Sequence, residues 1–144
     1  MRVSARAIII ENGNVLTMFR RKIKEGNTRE YYVIPGGGQD QGETLEETVV
    51  RELKEELNVD IKILGYVGNQ EYQDTRSHFF HCEIVKGRPT LGGEELERMT
   101  QENYYEPRFV PAKDAEALQV AGYKFVALAQ NKQYTSLPTE SKEK

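Results

Sequence analysis

Glu52, Glu55 and Glu56, in the run Arg51-Glu52-Leu53-Lys54-Glu55-Glu56-Leu57, combine residue type and spacing in a way that could do chemistry. At about 100° per residue the three carboxylates fall within about 100° of one another, on one face of one helix. Glu52 and Glu56 form a like-charge i, i+4 pair, which destabilises an isolated helix by about 0.2–0.5 kcal/mol. The apolar stripe of that helix is Leu45, Val49, Leu53 and Leu57, and Glu56 falls inside it. Glu46 also falls in the stripe, but in the first turn, where solvent and the helix dipole are within reach. Burying an unpaired carboxylate costs several kcal/mol, so either a cation sits among these groups or the helix phase differs from this one. The donors are all oxygen, with no Cys or His at ligand spacing, which selects Mg²⁺, with Mn²⁺ as the alternative, over zinc. Such an ion is held jointly by carboxylates and substrate phosphates and can polarise water.

Several elements must position that face. Gly36-Gly37-Gly38 and Gly42 read as an irregular loop that lets backbone approach a metal or a phosphate. Thr44 and Glu47 form a capping box, so the helix is predicted over Leu45–Leu57, with Asn58 as its left-handed terminator. Upstream, Ala5–Ile10 and Val15–Phe19 flank Glu11-Asn12-Gly13-Asn14, a hairpin signal. Arg20 to Glu30 reads as a polar loop whose basic run, Arg20 to Lys24, is a solvated segment in preference to a phosphate-steering patch. Tyr31 to Ile34 reads as a strand stopped by Pro35.

Downstream, Val59–Val67 and His78–Val85 read as strands separated by polar Gly68–Ser77. Lys86 to Asn103 reads as a long loop carrying Glu94, Glu95, Glu97 and Glu102. Tyr105–Val110 is extended, Pro111 opens a short helix to about Leu118, and Tyr123–Gln130 is a last helix. Residues 1–134 are expected to form one domain, with 135–144 a frayed polar tail. His78 and His81, three apart on a strand, point to opposite faces and are read as structural. Tyr31, Tyr32, Tyr104 and Tyr105 are read as packing residues in preference to base-stacking ones.

The 144 residues carry 20 Lys and Arg against 23 Asp and Glu, a formal charge of −3. That argues against binding nucleic acid through overall charge. No apolar run approaches the roughly 18 residues of a membrane span, and no signal peptide is visible. The single Cys82, in an apolar run, is read as a buried structural thiol and suits a reducing cytoplasm.

Gly37, five residues, Glu43, seven residues, and Arg51-Glu52-Leu53-Lys54-Glu55-Glu56-Leu57-Asn58-Val59 together resemble the Nudix box. The departure is Asn58 where that family has Gly, and Asn tolerates the left-handed conformation. The resemblance implies an α/β fold, an α/β/α sandwich around a mixed β-sheet. It implies that Glu52, Glu55 and Glu56 bind Mg²⁺, that the Gly36 carbonyl completes the sphere, and that Gly36, Gly37 and Gly38 form the binding loop. Glu43 and Arg51 are implied to brace the loop against the helix as an ion pair.

The implied reaction is hydrolysis of a diphosphate linkage in a nucleoside diphosphate joined to another group, by metal-activated water attacking phosphorus. The general base is either Glu52 or Glu102. Two other readings are a non-catalytic nucleotide-sensing module and a prenyl-diphosphate isomerase-like enzyme, the latter needing a catalytic Cys. The implied partner is a small nucleotide or other diphosphate, with nucleic acid entering only as a capped or oxidised-nucleotide substrate. A homodimer is compatible with the sequence.

Overall fold

The computed structural model describes residues 1–138. Its strands are β1 (Arg2–Glu11), β2 (Asn14–Lys24), β3 (Asn27–Val33), β4 (Gly36–Gly38), β5 (Asp60–Tyr72), β6 (Thr75–Lys86) and β7 (Asn103–Pro111). Its helices are α1 (Leu45–Leu57), α2 (Gly93–Arg98) and α3 (Tyr123–Gln130). The strands form a mixed sheet in the order β3-β2-β1-β6-β5, with β4 added to β1 and β7 to β2. Of these pairings only β1 with β6 is parallel.

Helices cover both faces. Leu45, Val49, Leu53 and Leu57 of α1 pack with Ala5, Ala7, Met18, Phe80 and Tyr105 on one side. Val126 and Ala129 of α3 pack with Ile8, Val15 and Phe79 on the other. Alternation along β1 sends Ala7 to the first core and Ile8 to the second, as a strand buried on both faces requires.

The split of the sheet matters most for the site. β1 and β2 pair only beside their turn, at Ile10 with Val15 and Glu11 with Asn14. Beyond it they diverge, β2 running between β3 and β7 while the freed edge of β1 takes β4 at Ser4, Ala5 and Arg6. A cleft opens where the two strands separate, and α1 lies alongside it.

Several sequence expectations are corrected. The glycine run is a short strand, not an irregular loop: Gly36 has φ 150°, and a Cβ there would collide with the Ala5 carbonyl oxygen, so glycine serves close backbone approach. The polar segment 20–30 is a hairpin, because β7 and β3 supply ladder partners and the left-handed pair Glu25-Gly26 makes the turn. Segment 68–77 is likewise strand around the left-handed Gln73-Asp74 turn.

The long loop 86–103 contains α2. The helix expected from Pro111 to about Leu118 shrinks to one 3₁₀ turn at Ala112–Asp114. The tail is anchored where it begins. The Thr135 N–H donates to the Tyr66 carbonyl at 2.9 Å, and Leu137 packs against the α1-side core. Residues 139–144 lie outside the described residues.

Candidate active site

Helix α1 is terminated as its sequence dictates. The Thr44 hydroxyl accepts from the Glu47 N–H at 3.1 Å, and the Glu47 carboxylate accepts from the Thr44 N–H at 2.8 Å. At the other end Asn58 adopts φ 58°, and its N–H donates to the Leu53 and Lys54 carbonyls. The last-turn carbonyls left without intrahelical partners are taken by the following loop: Thr90 N–H donates to Leu57 at 3.0 Å and Gly92 N–H to Glu56 at 2.8 Å. The Asn58 side-chain amide donates to the Thr90 carbonyl at 3.1 Å. This cap on α1 carries α2, and with it Glu94 and Glu95, to the acidic face.

Arg51 organises one flank of that face. Its Nε donates to Glu43 Oε2 at 2.5 Å and its Nη2 to Glu43 Oε1 at 3.0 Å, while Nη2 also donates to the Gly38 carbonyl at 3.0 Å. The glycine strand is thereby tied to the helix. This guanidinium holds the Glu43 carboxyl down at about 2, and the same bond raises Arg51. Arg51 Nη1 reaches Glu52 at 3.1 Å and Glu55 at 2.8 Å. A Cβ on Gly37 would meet the Glu52 carboxylate and no backbone atom among its nearest neighbours.

The three glutamates occupy different environments. Glu55 is exposed, Glu52 half-buried, and Glu56 only 8% exposed, as its place in the apolar stripe implies. Glu52 and Glu56 border a cleft of about 320 Å³ with Gly36, Gly37 and Gly38. Arg2 and Arg6 of β1, Arg20 of β2 and Arg98 of α2 enter the same cleft, as do Glu94 and Glu95. Burial first, and then the Glu95 charge, push the Glu56 carboxyl up to about 8, against the opposing pull of Arg6. Burial also raises Glu52.

Glu102 does not join this cluster. It is exposed just before β7, where its carbonyl accepts from the Ile23 N–H, and of the four loop glutamates Glu94 and Glu95 are the two that line the cleft. Arg6 is not singled out by the sequence, whereas Arg20 belongs to the basic run read as solvated in preference to phosphate-steering, and it lines the cleft. The available signals were an arginine inside an apolar strand, Ser4-Ala5-Arg6-Ala7-Ile8, and another at the end of Val15–Phe19. Arg6 Nη1 donates to the Ile34 carbonyl at 2.8 Å, and Arg20 Nη2 to the Tyr105 hydroxyl at 3.0 Å.

The donor set suits a hard divalent cation: carboxylates and backbone carbonyls, one carboxylate buried, and two of them crowded together beside the cleft. In this structure Glu52 and Glu55 turn toward Arg51, so among the described residues no three acidic or imidazole groups converge on one point.

The remaining candidates are structural. His78 Nδ1 shares a 2.7 Å hydrogen bond with the Tyr66 hydroxyl, and His81 Nδ1 a 2.9 Å bond with Tyr134. Burial holds His78 down at about 4 and lowers His81. Cys82 is 1% exposed and burial pushes its thiol up, so it offers no thiolate for isomerase chemistry. Of the four tyrosines, Tyr105 is buried core and Tyr32 packs on Phe19 with ring centroids 5.2 Å apart.

Comparison with known proteins agrees with this architecture. An ADP-ribose pyrophosphatase of Methanocaldococcus jannaschii is 35% identical over 88 residues, 60% of this chain and 50% of that protein. A NAD-capped RNA hydrolase NudC of Pseudomonas aeruginosa is 35% identical over 68 residues, 46% of this chain and 24% of that one. These matches span half or less of the relatives' lengths. Among solved structures, a NUDIX hydrolase from Nitrosomonas europaea superposes with TM-score 0.67 at 15% identity, covering 97% of this chain and 99% of that one. An ADP-ribose pyrophosphatase from Streptococcus suis superposes with TM-score 0.63 at 18% identity, covering 94% of each. They share the α/β/α sandwich around a mixed sheet. The NUDIX domain model matches residues 1–133, so this chain belongs to the NUDIX family.

Proposed function

We propose that the protein is a divalent-cation-dependent pyrophosphohydrolase that cleaves the diphosphate linkage of a nucleoside diphosphate joined to another group. The observation that carries this reading is the buried Glu56, set against Glu95 in a cleft that Arg2, Arg6, Arg20 and Arg98 also enter. Acidic groups crowded in this way fit a cation, and guanidiniums facing them across the cleft fit phosphate oxygens.

Glu52, Glu55 and Glu56, with the Gly36 carbonyl, would hold Mg²⁺ or Mn²⁺. Bound there, the ion supplies positive charge to the diphosphate and makes water more acidic. The chain's own groups do the rest. Arg6, fixed by the Ile34 carbonyl, and Arg20, fixed by the Tyr105 hydroxyl, orient phosphate oxygens. Arg51 and Glu43 keep the Gly36–Gly38 strand and the Glu52 side chain in place. Glu95, half-buried in the cleft lining, accepts the proton of the attacking water, with Glu52 as the alternative among the cleft carboxylates.

The names of the relatives place ADP-ribose and NAD-capped RNA among the substrates to assay. The test compares hydrolysis of ADP-ribose by the parent, Glu56→Gln and Glu55→Gln proteins, with and without Mg²⁺. Cation-dependent turnover that falls by about a hundredfold or more in the variants supports the assignment. Equal rates in parent and variants overturn it.

A further inference from the structure

Asn58 is the position at which the sequence departs from the Nudix box, where the family has Gly. Its backbone is left-handed, at φ 58°, a conformation that glycine adopts with no Cβ penalty and asparagine only at some cost. Ending α1 therefore requires no side chain at this position. The side chain has a different partner: its Nδ2 donates to the carbonyl and to the hydroxyl oxygen of Thr90, each at 3.1 Å, across 32 residues of chain.

Thr90 opens the short segment that leads into α2. The Thr90 N–H donates to the Leu57 carbonyl and the Gly92 N–H to that of Glu56, so the segment lies on the last turn of α1. The fit is close: a Cβ on Gly92 would lie 2.9 Å from the Glu55 carbonyl oxygen and 3.0 Å from Asn58 Nδ2, and one on Gly93 would lie 3.0 Å from that same oxygen. Helix α2 supplies little of its own to hold this place. It has six residues, none of them buried, its Gly92 N-cap makes no side-chain hydrogen bond, and Leu96 is exposed. Its far end is tied to β7, where the Asn103 side-chain amide donates to the Arg98 carbonyl at 3.3 Å. Its near end carries Glu95, the one half-buried residue of the helix, and is held by the bonds to the end of α1.

We propose that Asn58 is a positioning residue for the reaction: its side-chain amide latches Thr90 to the end of α1 and so keeps Glu95 in the lining of the cleft. The inference rests on the reading in which Glu95 accepts the proton of the attacking water. Asn58 is not among the residues that line the cleft and acts only through the segment it holds. A proton acceptor must stay within hydrogen-bond reach of the water, and a displacement of about 1 Å is enough to lower a rate by up to about a hundredfold.

Asn58→Gly tests it, because glycine keeps the left-handed end of α1 and removes only the amide. Amide hydrogen exchange followed by NMR in EDTA reads the latch without turnover. The Gly92 N–H is expected to exchange at least about tenfold faster than in the parent, with Val49 and Leu53 of α1 unchanged. Steady-state hydrolysis of ADP-ribose with Mg²⁺ reads the consequence: kcat should fall by about tenfold while KM stays within about twofold. In a Glu95→Gln background the same substitution should lower kcat no further, since the group it positions is already gone.

Gly92 exchange at the parental rate, a parental kcat in Asn58→Gly, or a loss that multiplies undiminished onto that of Glu95→Gln would each overturn the proposal. Failure of the underlying reading looks different. In that case Glu95→Gln turns over at the parental rate, or the parent hydrolyses no ADP-ribose with Mg²⁺, and the exchange of Gly92 alone decides whether Asn58 is the latch.

Discussion

Arg51 and Glu43, eight residues apart, are locked in a two-pronged ion pair, Nε to Oε2 at 2.5 Å and Nη2 to Oε1 at 3.0 Å. The same guanidinium reaches the Gly38 carbonyl and the carboxylates of Glu52 and Glu55. One side chain thus sets the distance between the backbone and the acidic groups of the cleft.

This pair makes folding stability depend on acid. The Glu43 carboxyl titrates at about 2 in the folded protein and at 4.5 in the unfolded chain. Its contribution is therefore fully present above pH 4.5 and lost as pH falls through 2. Glu43→Gln should lower the unfolding free energy by about 2 kcal/mol at pH 7, allowing for partial solvent screening. Urea melts of parent and variant should draw together below pH 4.5 and converge only near pH 2 and below. A gap unchanged by pH would mean that the charge is not what stabilises the pair.

Glu56 has the opposite sign. Its folded carboxyl titrates at about 8, above the 4.5 of the unfolded chain. In metal-free protein the associated stability is present below pH 4.5 and is lost as pH rises through 8. Glu56→Gln should flatten this slope and leave the variant more stable than the parent at pH 8–9 in EDTA, by a few kcal/mol. Thermal melts across that range check it. A variant melting below the parent at pH 9 would contradict the buried, uncompensated state of this carboxylate.

His78 should weaken the fold in acid. Held at about 4 by burial, against 6.5 in the unfolded chain, it leaves stability present above pH 6.5 and lost as pH falls through 4. The effect is at most about 3 kcal/mol. His78→Gln can still bond to the Tyr66 hydroxyl and should remove this part of the pH dependence whatever its cost at pH 7. An unchanged slope between pH 6.5 and 4 would rule His78 out as its source.

Gly37→Ala should separate stability from activity. The added methyl meets the Glu52 carboxylate, the mobile end of a side chain, and no backbone atom is among its closest neighbours. Swinging Glu52 aside costs little folding free energy but removes it from the cleft. We expect Mg²⁺-dependent hydrolysis of ADP-ribose to fall at least tenfold, with a melting temperature within a few degrees of the parent. A fully active variant would show that the position of Glu52 is not critical.

Glu95 and Glu102 can be told apart directly. Glu95 enters the cleft and acts on Glu56, whereas Glu102 is exposed outside it. Glu95→Gln should lower kcat by about ten- to a hundredfold, and Glu102→Gln should leave it unchanged. The reverse result would return the proton-accepting role to Glu102.

Much of this site could be read along the chain because it is local. The capping box at Thr44, the left-handed Asn58 and the burial of Glu56 follow from residues within a few turns of one another, where helix geometry alone dictates which side chains share a face. The glycine strand, the polar hairpin and the identity of the loop glutamate could not be read in this way. Gly36–Gly38 is a strand because β1 offers it an edge, and Arg20 to Lys24 is a strand because β7 lies beside it. Glu95 reaches Glu56 because Thr90 and Gly92 cap carbonyls at the end of α1. Each is a pairing between segments far apart in sequence. Backbone groups seek any partner that satisfies them, so the fold as a whole selects which one they find.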